Sequence, residues 1–590
     1  PTGAGKTYAA FIGALLATQK NNDTSTSGVR ILYVTPLRAV TRDIRISLER
    51  ALMALRPEWR AEDRTGDTTF SAKARQRKNS PEVLVTTPES LSVLLTYDDH
   101  AAFFASLDTI IVDEWHEILG NKRGSLLELT LARIRKIKPE VKTWALSATI
   151  GNPDEAARVV TGNSARVITG KIERTVNIES LMPERIDTFP WAGSLGLRMA
   201  KDLIARLDPE KPTLIFTNTR TQAERWHQTI AQEKPDWIDH LALHHGSLDR
   251  DERERVESGL KTGDLSIVVC TSSLDLGVDF APIEMVVQIG SPKAVARLVQ
   301  RAGRSAHRPG EQANILFVPT HALELIEISA VRQAIESGLI ETKKPVERPL
   351  DVMVQHMVTR ALGGGFSRHE IFEEIRTAHS FRTVTGADLD WALRFITQGG
   401  DSLQAYPAYR KVDLDEDGRY RVLNSVIART HRMSIGTIDS NATIRLKFQR
   451  GKDIGQVEES FIARLKPGDR FLFAGKVLQL IRLNEMEATV KLATGTSTTL
   501  PTWAGGRLPF SSPMSAAVRH TLADVANGRR VSVEMDALKP IVMAQEHYSS
   551  LPNEEETLIE ITQSREGHHA FIYPFEGRLV HEVLGALVAY

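Results

Sequence analysis

A single cysteine, Cys270, in 590 residues excludes an intramolecular disulfide and a cysteine-based zinc site. It fits a reducing, cytoplasmic compartment. Net charge is also missing, with 74 Lys+Arg against 74 Asp+Glu. A polyanionic partner must therefore be held by local basic clusters, because no overall field draws it in. There is no run of about 18 apolar residues, so no membrane span and no membrane partner are expected. No signal-peptide pattern is visible, although a segment ahead of residue 1 would carry one. Repeats of solenoid length are absent, and "NNDTSTSG" (21–28) reads as a polar loop. The remaining composition, 42% apolar and 25% charged, is ordinary for a globular protein. The length suits about four domains of roughly 150 residues each.

Short apolar runs alternate with helical patterns over the first third of the chain. "VRILYVT" (29–35), "EVLVTT" (82–87), "TIIVDE" (109–114), "TWALSAT" (143–149) and "ARVITG" (165–170) read as buried strands. The rhythm returns in "TLIFTNT" (213–219), "LSIVVCTS" (265–272), "EMVVQIG" (284–290) and "NILFVPT" (314–320). Such βαβ alternation predicts two parallel-sheet α/β domains in tandem. "ETKKPVERP" (341–349) reads as a linker. Helices over 350–361, 368–378 and 387–398, then short strands over 408–414 and 418–423 joined by an Asp-Gly turn, suggest a winged helix. Strand patterns dominate from 429 to about 500, and a helix fits 512–526. The predicted domains are 1–180, 195–345, 346–428 and 429–590, the first cut at its N-terminus and the last at its C-terminus.

The opening "PTGAGKT" carries seven of the eight positions of a phosphate-binding loop, with Gly3 and Gly5 ahead of Lys6 and Thr7. In such a loop backbone N–H groups and the following helix N-terminus face the phosphates. Lys6 would reach the β- and γ-phosphates, and the Thr7 hydroxyl would hold Mg²⁺. A strand should precede the loop, so we expect one upstream of residue 1, together with the adenine-contacting segment. "IIVDEWHE" places Asp113 and Glu114 at the carboxyl edge of a strand, where ligands bind in open α/β sheets. Asp113 can hold Mg²⁺ through water, and Glu114 can polarise the water that attacks the γ-phosphate. Trp115 has no evident chemical role and reads as packing.

With "TPLRAV" (35–40), "TTPES" (86–90), "DEWH" (113–116) and "SAT" (147–149), the first domain resembles superfamily-two DExH helicases. "IFTNTR" (215–220), "TSSLDLGVDF" (271–280) and "QRAGRSAHR" (300–308) resemble the motifs of their second domain, and the whole set occurs in order. Further along, "VDEWHEILGNKRGSLLEL" (112–129), "RPLDVMVQHMVTRALGGGF" (348–366), "LPTWAGGRLPFSS" (500–512) and "YPFEGRLVHEVLGALVA" (573–589) resemble the Lhr-type helicases. The Trp after Asp-Glu is similar to the bacterial ligase-associated DExH-box subgroup. The resemblance implies two tandem RecA-like P-loop domains, a winged-helix domain and a β-rich α+β fourth domain. It implies ATP and Mg²⁺, and a 3′-to-5′ translocase on single-stranded DNA that opens DNA or RNA:DNA duplexes, in DNA repair. It also implies an ATP-dependent DNA ligase and a metallophosphoesterase as candidate partners.

By family position Arg304 is the arginine finger, and Arg301, Gly277 and Asp279 join the nucleotide site. A second finger is expected three residues after Arg304; His307 stands there with Arg308 one step beyond, so that finger stays open. His116, Ser147, Thr149 and Gln300 fall at coupling positions. Thr35, Arg38, Thr87, Thr217, Thr219, Thr271 and Ser272 fall where a strand would be gripped by its phosphates; Trp503, flanked by Pro501 and the glycines at 505–506, reads as a base-stacking contact or as a core tryptophan of the β-rich domain. The basic run "SAKARQRKNS" (71–80) reads equally as a backbone track or a solvated helix face. Two rival functions remain open: a DExH RNA helicase, and an ATP-dependent DNA-binding scaffold that does not unwind. "DLDEDG" (413–418) opens like a calcium loop but has Asn424 where the bidentate Glu belongs. His244 and His245 lack a third metal ligand at suitable spacing.

Overall fold

A computed structural model describes residues 5–18, 28–148, 150–162, 165–170, 175–186, 189–190, 195–275, 282–305, 312–399, 410–436, 443–449, 451, 453–484, 486–495, 499–501, 510–529 and 532–589. The chain divides into two units, Pro1–Lys171 with Thr342–Asp439 and Ile172–Glu341 with Ser440–Tyr590.

The first unit is built on five parallel strands: β1 (Ile31–Val34), β2 (Ala61–Arg64), β3 (Val83–Thr86), β4 (Thr109–Val112) and β5 (Lys142–Ala145). Their order is β2-β3-β1-β4-β5, with Val34 level with Thr86 on one side and Val112 on the other. The three central strands are wholly buried, which is why they read as unbroken apolar runs. The edge strand β2 has the sequence AEDR, half covered, and carries no such signal. The strand expected over 165–170 does not form. These residues are exposed and irregular, with Ile168 83% exposed, and no strand among the described residues pairs with them.

Helix Lys122–Ile137 is buried on two faces. Leu127, Leu131 and Ile134 enter the core beside the sheet. Leu126, Leu129 and Ala132 enter a second core with Met353, Met357, Ile375, Phe381 and Leu393 of the winged helix. That domain comprises helices Leu350–Leu362, Arg368–Arg376 and Gly386–Gln398 and the hairpin Asp413–Leu414/Tyr420–Arg421. Capping boxes at Ser367/Glu370 and Thr385/Asp388 start its second and third helices. Glu128 fixes the junction by accepting from Ser380 N and Oγ, both at 2.7 Å. Burial, only partly offset by those bonds, pushes the Glu128 carboxyl up to about 7.

The second unit holds six parallel strands: β6 (Val176–Ser180), β7 (Thr213–Phe216), β8 (Leu241–His244), β9 (Ile267–Cys270), β10 (Met285–Ile289) and β11 (Ala313–Val318), in the order β6-β11-β10-β7-β9-β8. Neither β6 nor β8 is among the strands expected from the sequence; both are edge strands. A five-stranded mixed sheet, Thr443–Phe448 to Glu487–Leu492, shares one continuous core with this parallel sheet. Glu224, on helix Arg220–Glu233 and wholly buried, accepts from Ala474 N (2.6 Å) and Gly475 N (3.1 Å) at the turn between strands Arg470–Phe473 and Lys476–Asn484. Ala474 (φ 54°) and Gly475 (φ 70°) are both left-handed there, the conformation a tight hairpin needs. Among the described residues no helix is long and apolar enough to cross a membrane.

Candidate ATP site and nucleic-acid surface

Lys6 and Thr7 open helix Lys6–Thr18, with Gly5 at φ 69° ahead of them. No acidic residue sits in the first turn, so the positive end of the helix is not neutralised. Lys6 Nζ lies 3.7 Å from Glu114 Oε1, too far for a hydrogen bond, and has no hydrogen-bond partner among the described residues. Glu114 Oε2, both ring nitrogens of buried His116, and Ser147 Oγ are in the same condition. His116 stands 3.4 Å from Glu114 Oε2 and 3.1 Å from Glu117 Oε1, close enough for charge but not aligned for a hydrogen bond.

Asp113 is held firmly. Tyr33 Oη donates to its Oδ2 at 2.6 Å, and Glu114 N donates to its Oδ1 at 2.9 Å. The Thr7 hydroxyl is within hydrogen-bonding reach of Tyr33. Burial and then the neighbouring Glu114 carboxylate push Asp113 up to about 6, against Tyr33 and Lys6. A buried carboxylate beside a half-buried one, with only one nearby ammonium, is short of positive charge. Glu114 itself sits at φ 45°, in the left-handed region that non-glycine residues rarely occupy. Trp115 is core, 1% exposed, its indole donating to Ala156 O at 2.9 Å.

In the second unit, Arg301, expected in the nucleotide site, is held by partners of its own domain. It is 1% exposed, forks onto Asp275 through Nε (2.7 Å) and Nη2 (3.2 Å), and donates Nη1 to Gln288 Oε1 at 2.6 Å. Its place is inside the domain, tying helix Val295–Ala302 to the segment after β9. Arg304, one turn on, donates Nη2 to Asp275 O at 2.8 Å. Gln300 is buried, and its Nε2 has no hydrogen-bond partner among the described residues. Gly3, Thr149, Gly277, Asp279, His307, Arg308 and Trp503 lie outside the described residues.

The strand-contact candidates divide by exposure. Arg38 is exposed, 3.5 Å from Asp67, and its guanidinium lies so close over Gly66 that a Cβ there would collide with it. Thr35 is buried with an unsatisfied hydroxyl. Thr87 caps helix Pro88–Leu94, and exposed Thr219 caps helix Arg220–Glu233. Thr271 is buried and Ser272 exposed at the end of β9. Thr217 does not fit the expectation: it is 1% exposed and its hydroxyl bonds to Thr219 O (3.1 Å) and Cys270 O (3.2 Å), so it braces strand ends. In the basic run, Arg75 pairs with Glu62 and Arg77 with Asp99, as on a solvated helix face. Motif reading passed over Arg220, whose Nη1 donates to Ser247 Oγ at 2.7 Å beside Thr219.

His244 bonds to Ser273 Oγ (2.8 Å) and Glu257 (3.1 Å), and His245 to Glu224 (3.2 Å), so both belong to internal networks. No group of three or more metal-ligating side chains occurs among the described residues.

A phosphate-binding loop, an Asp-Glu pair at a sheet edge and a second parallel-sheet domain carrying a buried arginine motif define an ATP-hydrolysing helicase of superfamily two. Family models agree: DEAD/DEAH box helicase over 1–156, helicase conserved C-terminal domain over 197–310, large helicase-related protein winged helix domain over 333–500, and DEAD/H associated over 551–590. The chain is 31% identical to the ATP-dependent helicase Lhr-Core protein 2 of Thermococcus barophilus, over all of this chain and 72% of that protein. It is 27% identical to the Lhr helicase/probable uracil glycosylase of Mycolicibacterium smegmatis, over 89% of this chain and 38% of that one. Its fold matches the structure of Mycobacterium smegmatis helicase Lhr bound to ssDNA and AMP-PNP with a TM-score of 0.76 and 25% identity, covering 98% of this chain and 73% of that one. The chain belongs to the Lhr family and is an ATP-dependent helicase.

Proposed function

We propose that this helicase runs 3′-to-5′ along single-stranded DNA and displaces a DNA or RNA strand, in cytoplasmic DNA repair beside an ATP-dependent ligase and a metallophosphoesterase. The observation that carries the reading is the cluster of buried, unsatisfied polar atoms at Lys6, Glu114, His116 and Ser147. Burying such groups without partners is costly, so they suit a polar ligand that completes them. The similar Mycobacterium smegmatis helicase is described with ssDNA and a nucleotide analogue bound, which supports the choice of both ligands.

Lys6 is suited to the β- and γ-phosphates, Glu114 to aligning the attacking water, and Arg304 to the charge that builds on the γ-phosphoryl oxygens. The donor set fits Mg²⁺. The Thr7 hydroxyl and the Asp113 carboxylate, both within reach of Tyr33, are oxygen ligands, and this ion keeps water and phosphate oxygens for its other positions. Bound there, it would neutralise phosphate charge. His116, Ser147, Thr149 and Gln300 would couple hydrolysis to strand movement. Thr35, Arg38, Thr87, Thr219, Thr271 and Ser272 would hold the phosphates. Trp503 would supply an aromatic face on which a base stacks.

Partial duplexes with a 3′ or 5′ tail of DNA or RNA test the proposal. Displacement should need ATP and a 3′ DNA tail, and should fail with Glu114→Gln. Displacement from RNA tails would favour the RNA helicase, and ATP-dependent binding without displacement would favour the scaffold.

A further inference from the structure

Arg123 lies in the stretch 112–129 that continues past Asp113 and Glu114, and it touches two other motifs, those at 35–40 and 86–90. It opens helix Lys122–Ile137 behind the Asn121 cap, whose Oδ1 accepts Arg123 N at 2.9 Å. The start of that helix is pinned: a Cβ on Gly124 would run into the Ile118 carbonyl. From this fixed point Arg123 donates Nε to Glu89 Oε1 (2.5 Å), and Nη2 to both Glu89 Oε2 (3.2 Å) and Pro36 O (2.6 Å). Pro36 follows Thr35 in the loop after β1. Glu89 lies two residues past Thr87 in the first turn of helix Pro88–Leu94. β1 and β3 are neighbours, and Thr35 N donates to Thr86 O at 2.9 Å.

We propose that Arg123 is a positioning residue for the nucleic-acid track, tying the loop after β1 to the loop after β3. Thr35 and Arg38 on one loop and Thr87 on the other are thereby held at one spacing for successive phosphates of a strand. The inference rests on the reading of these three residues as strand contacts. A planar guanidinium is required, because the two bonds to the carboxylate leave from separate nitrogens, Nε and Nη2, fixed in one plane while Nη2 also meets the carbonyl; an ammonium has three donors but only one nitrogen. Arg123 and Glu89 side chains are 25% and 19% exposed, sheltered enough for the clamp to persist in salt.

Binding of fluorescein-labelled oligothymidylate by anisotropy tests it, with the ATPase rate at saturating strand measured in parallel. Arg123→Gln should raise Kd about tenfold or more, with the saturating rate within about twofold of wild type. Arg123→Lys should be as weak as Arg123→Gln, because charge without the fork does not hold both loops. Glu89→Gln should weaken binding to the same degree, and the double variant no further, since both act through one contact. Recovery of wild-type Kd by Arg123→Lys, additive losses in the double variant, or unchanged binding by Arg123→Gln would each overturn the inference. A direct phosphate contact would instead cut the slope of log K against log salt by about one. Should Arg123→Gln fail to fold, Arg123→Lys alone decides. Absence of strand binding by the wild-type protein would sink the strand-contact reading itself.

Discussion

Glu374 is the most consequential charge outside the ATP site. Its carboxylate is 2% exposed in the winged helix and takes His356 Nε2 at 3.1 Å and Arg360 Nε at 3.0 Å. Arg133, from the helix that also packs on the parallel sheet, stands 3.4 Å away. Burial alone would raise its pKa. The His356 hydrogen bond and the charges of Arg360, His356 and Arg133 outweigh burial and hold it down to about 2, against an ordinary 4.5. At about 1.36 kcal/mol per unit that depression is worth about 3 kcal/mol, to order of magnitude. The sign follows from a lowered carboxyl pKa. The contribution is complete above the unfolded value near 4.5 and is lost as pH falls toward about 2. Glu374→Gln leaves Arg360 and Arg133 without their counter-charge, a loss of about 3–5 kcal/mol by comparison with other broken buried pairs. Urea titration read by hydrogen exchange in helices Lys122–Ile137 and Leu350–Leu362 measures it. The deficit should be constant from about pH 8 to 5.5 and shrink below about 4.5. A variant within about 0.5 kcal/mol of wild type at pH 7 would refute the claim that this cluster clamps the winged helix to the first sheet.

Two further outcomes are expected. Tyr33→Phe removes the hydroxyl that orients Asp113 and should raise the Mg²⁺ concentration needed for half-maximal binding of a fluorescent ATP analogue by about tenfold; an unchanged Mg²⁺ titration would count against that role. Glu224→Ala leaves Ala474 N, Gly475 N and His245 without their buried acceptor and should cost about 3 kcal/mol, seen as faster amide exchange at residues 474–475, whereas unchanged exchange there would show that the turn holds without it.

Much of this molecule is legible in its sequence because the central strands are buried on both faces. "ILYV", "VLVT", "TIIV" and "IVVC" carry no charged residue, so they stand out as strands and place Asp113 and Glu114 at an edge. The edge strands carry no comparable signal: Ala61–Arg64 is three-quarters polar. Val167 and Ile168 misled in the opposite direction, since apolar residues imply a strand only where another strand covers them. Motif spacing located Arg301 but not its partner, because Asp275 lies 26 residues away and meets it only after folding. Arg123, Glu89 and Tyr33 escaped for the same reason. The apolar residues of helix Lys122–Ile137 are too many for one face, and that surplus was the available clue that a second core packs on it.

The most direct measurement is single-turnover ATP hydrolysis by Arg304→Ala on saturating single-stranded DNA, with nucleotide and strand binding measured alongside. If Arg304 stabilises the γ-phosphoryl charge as proposed, both ligands bind nearly as in wild type while hydrolysis falls roughly 10³-fold or more. Hydrolysis within about tenfold of wild type, with binding intact, would contradict the role proposed for Arg304 in ATP hydrolysis.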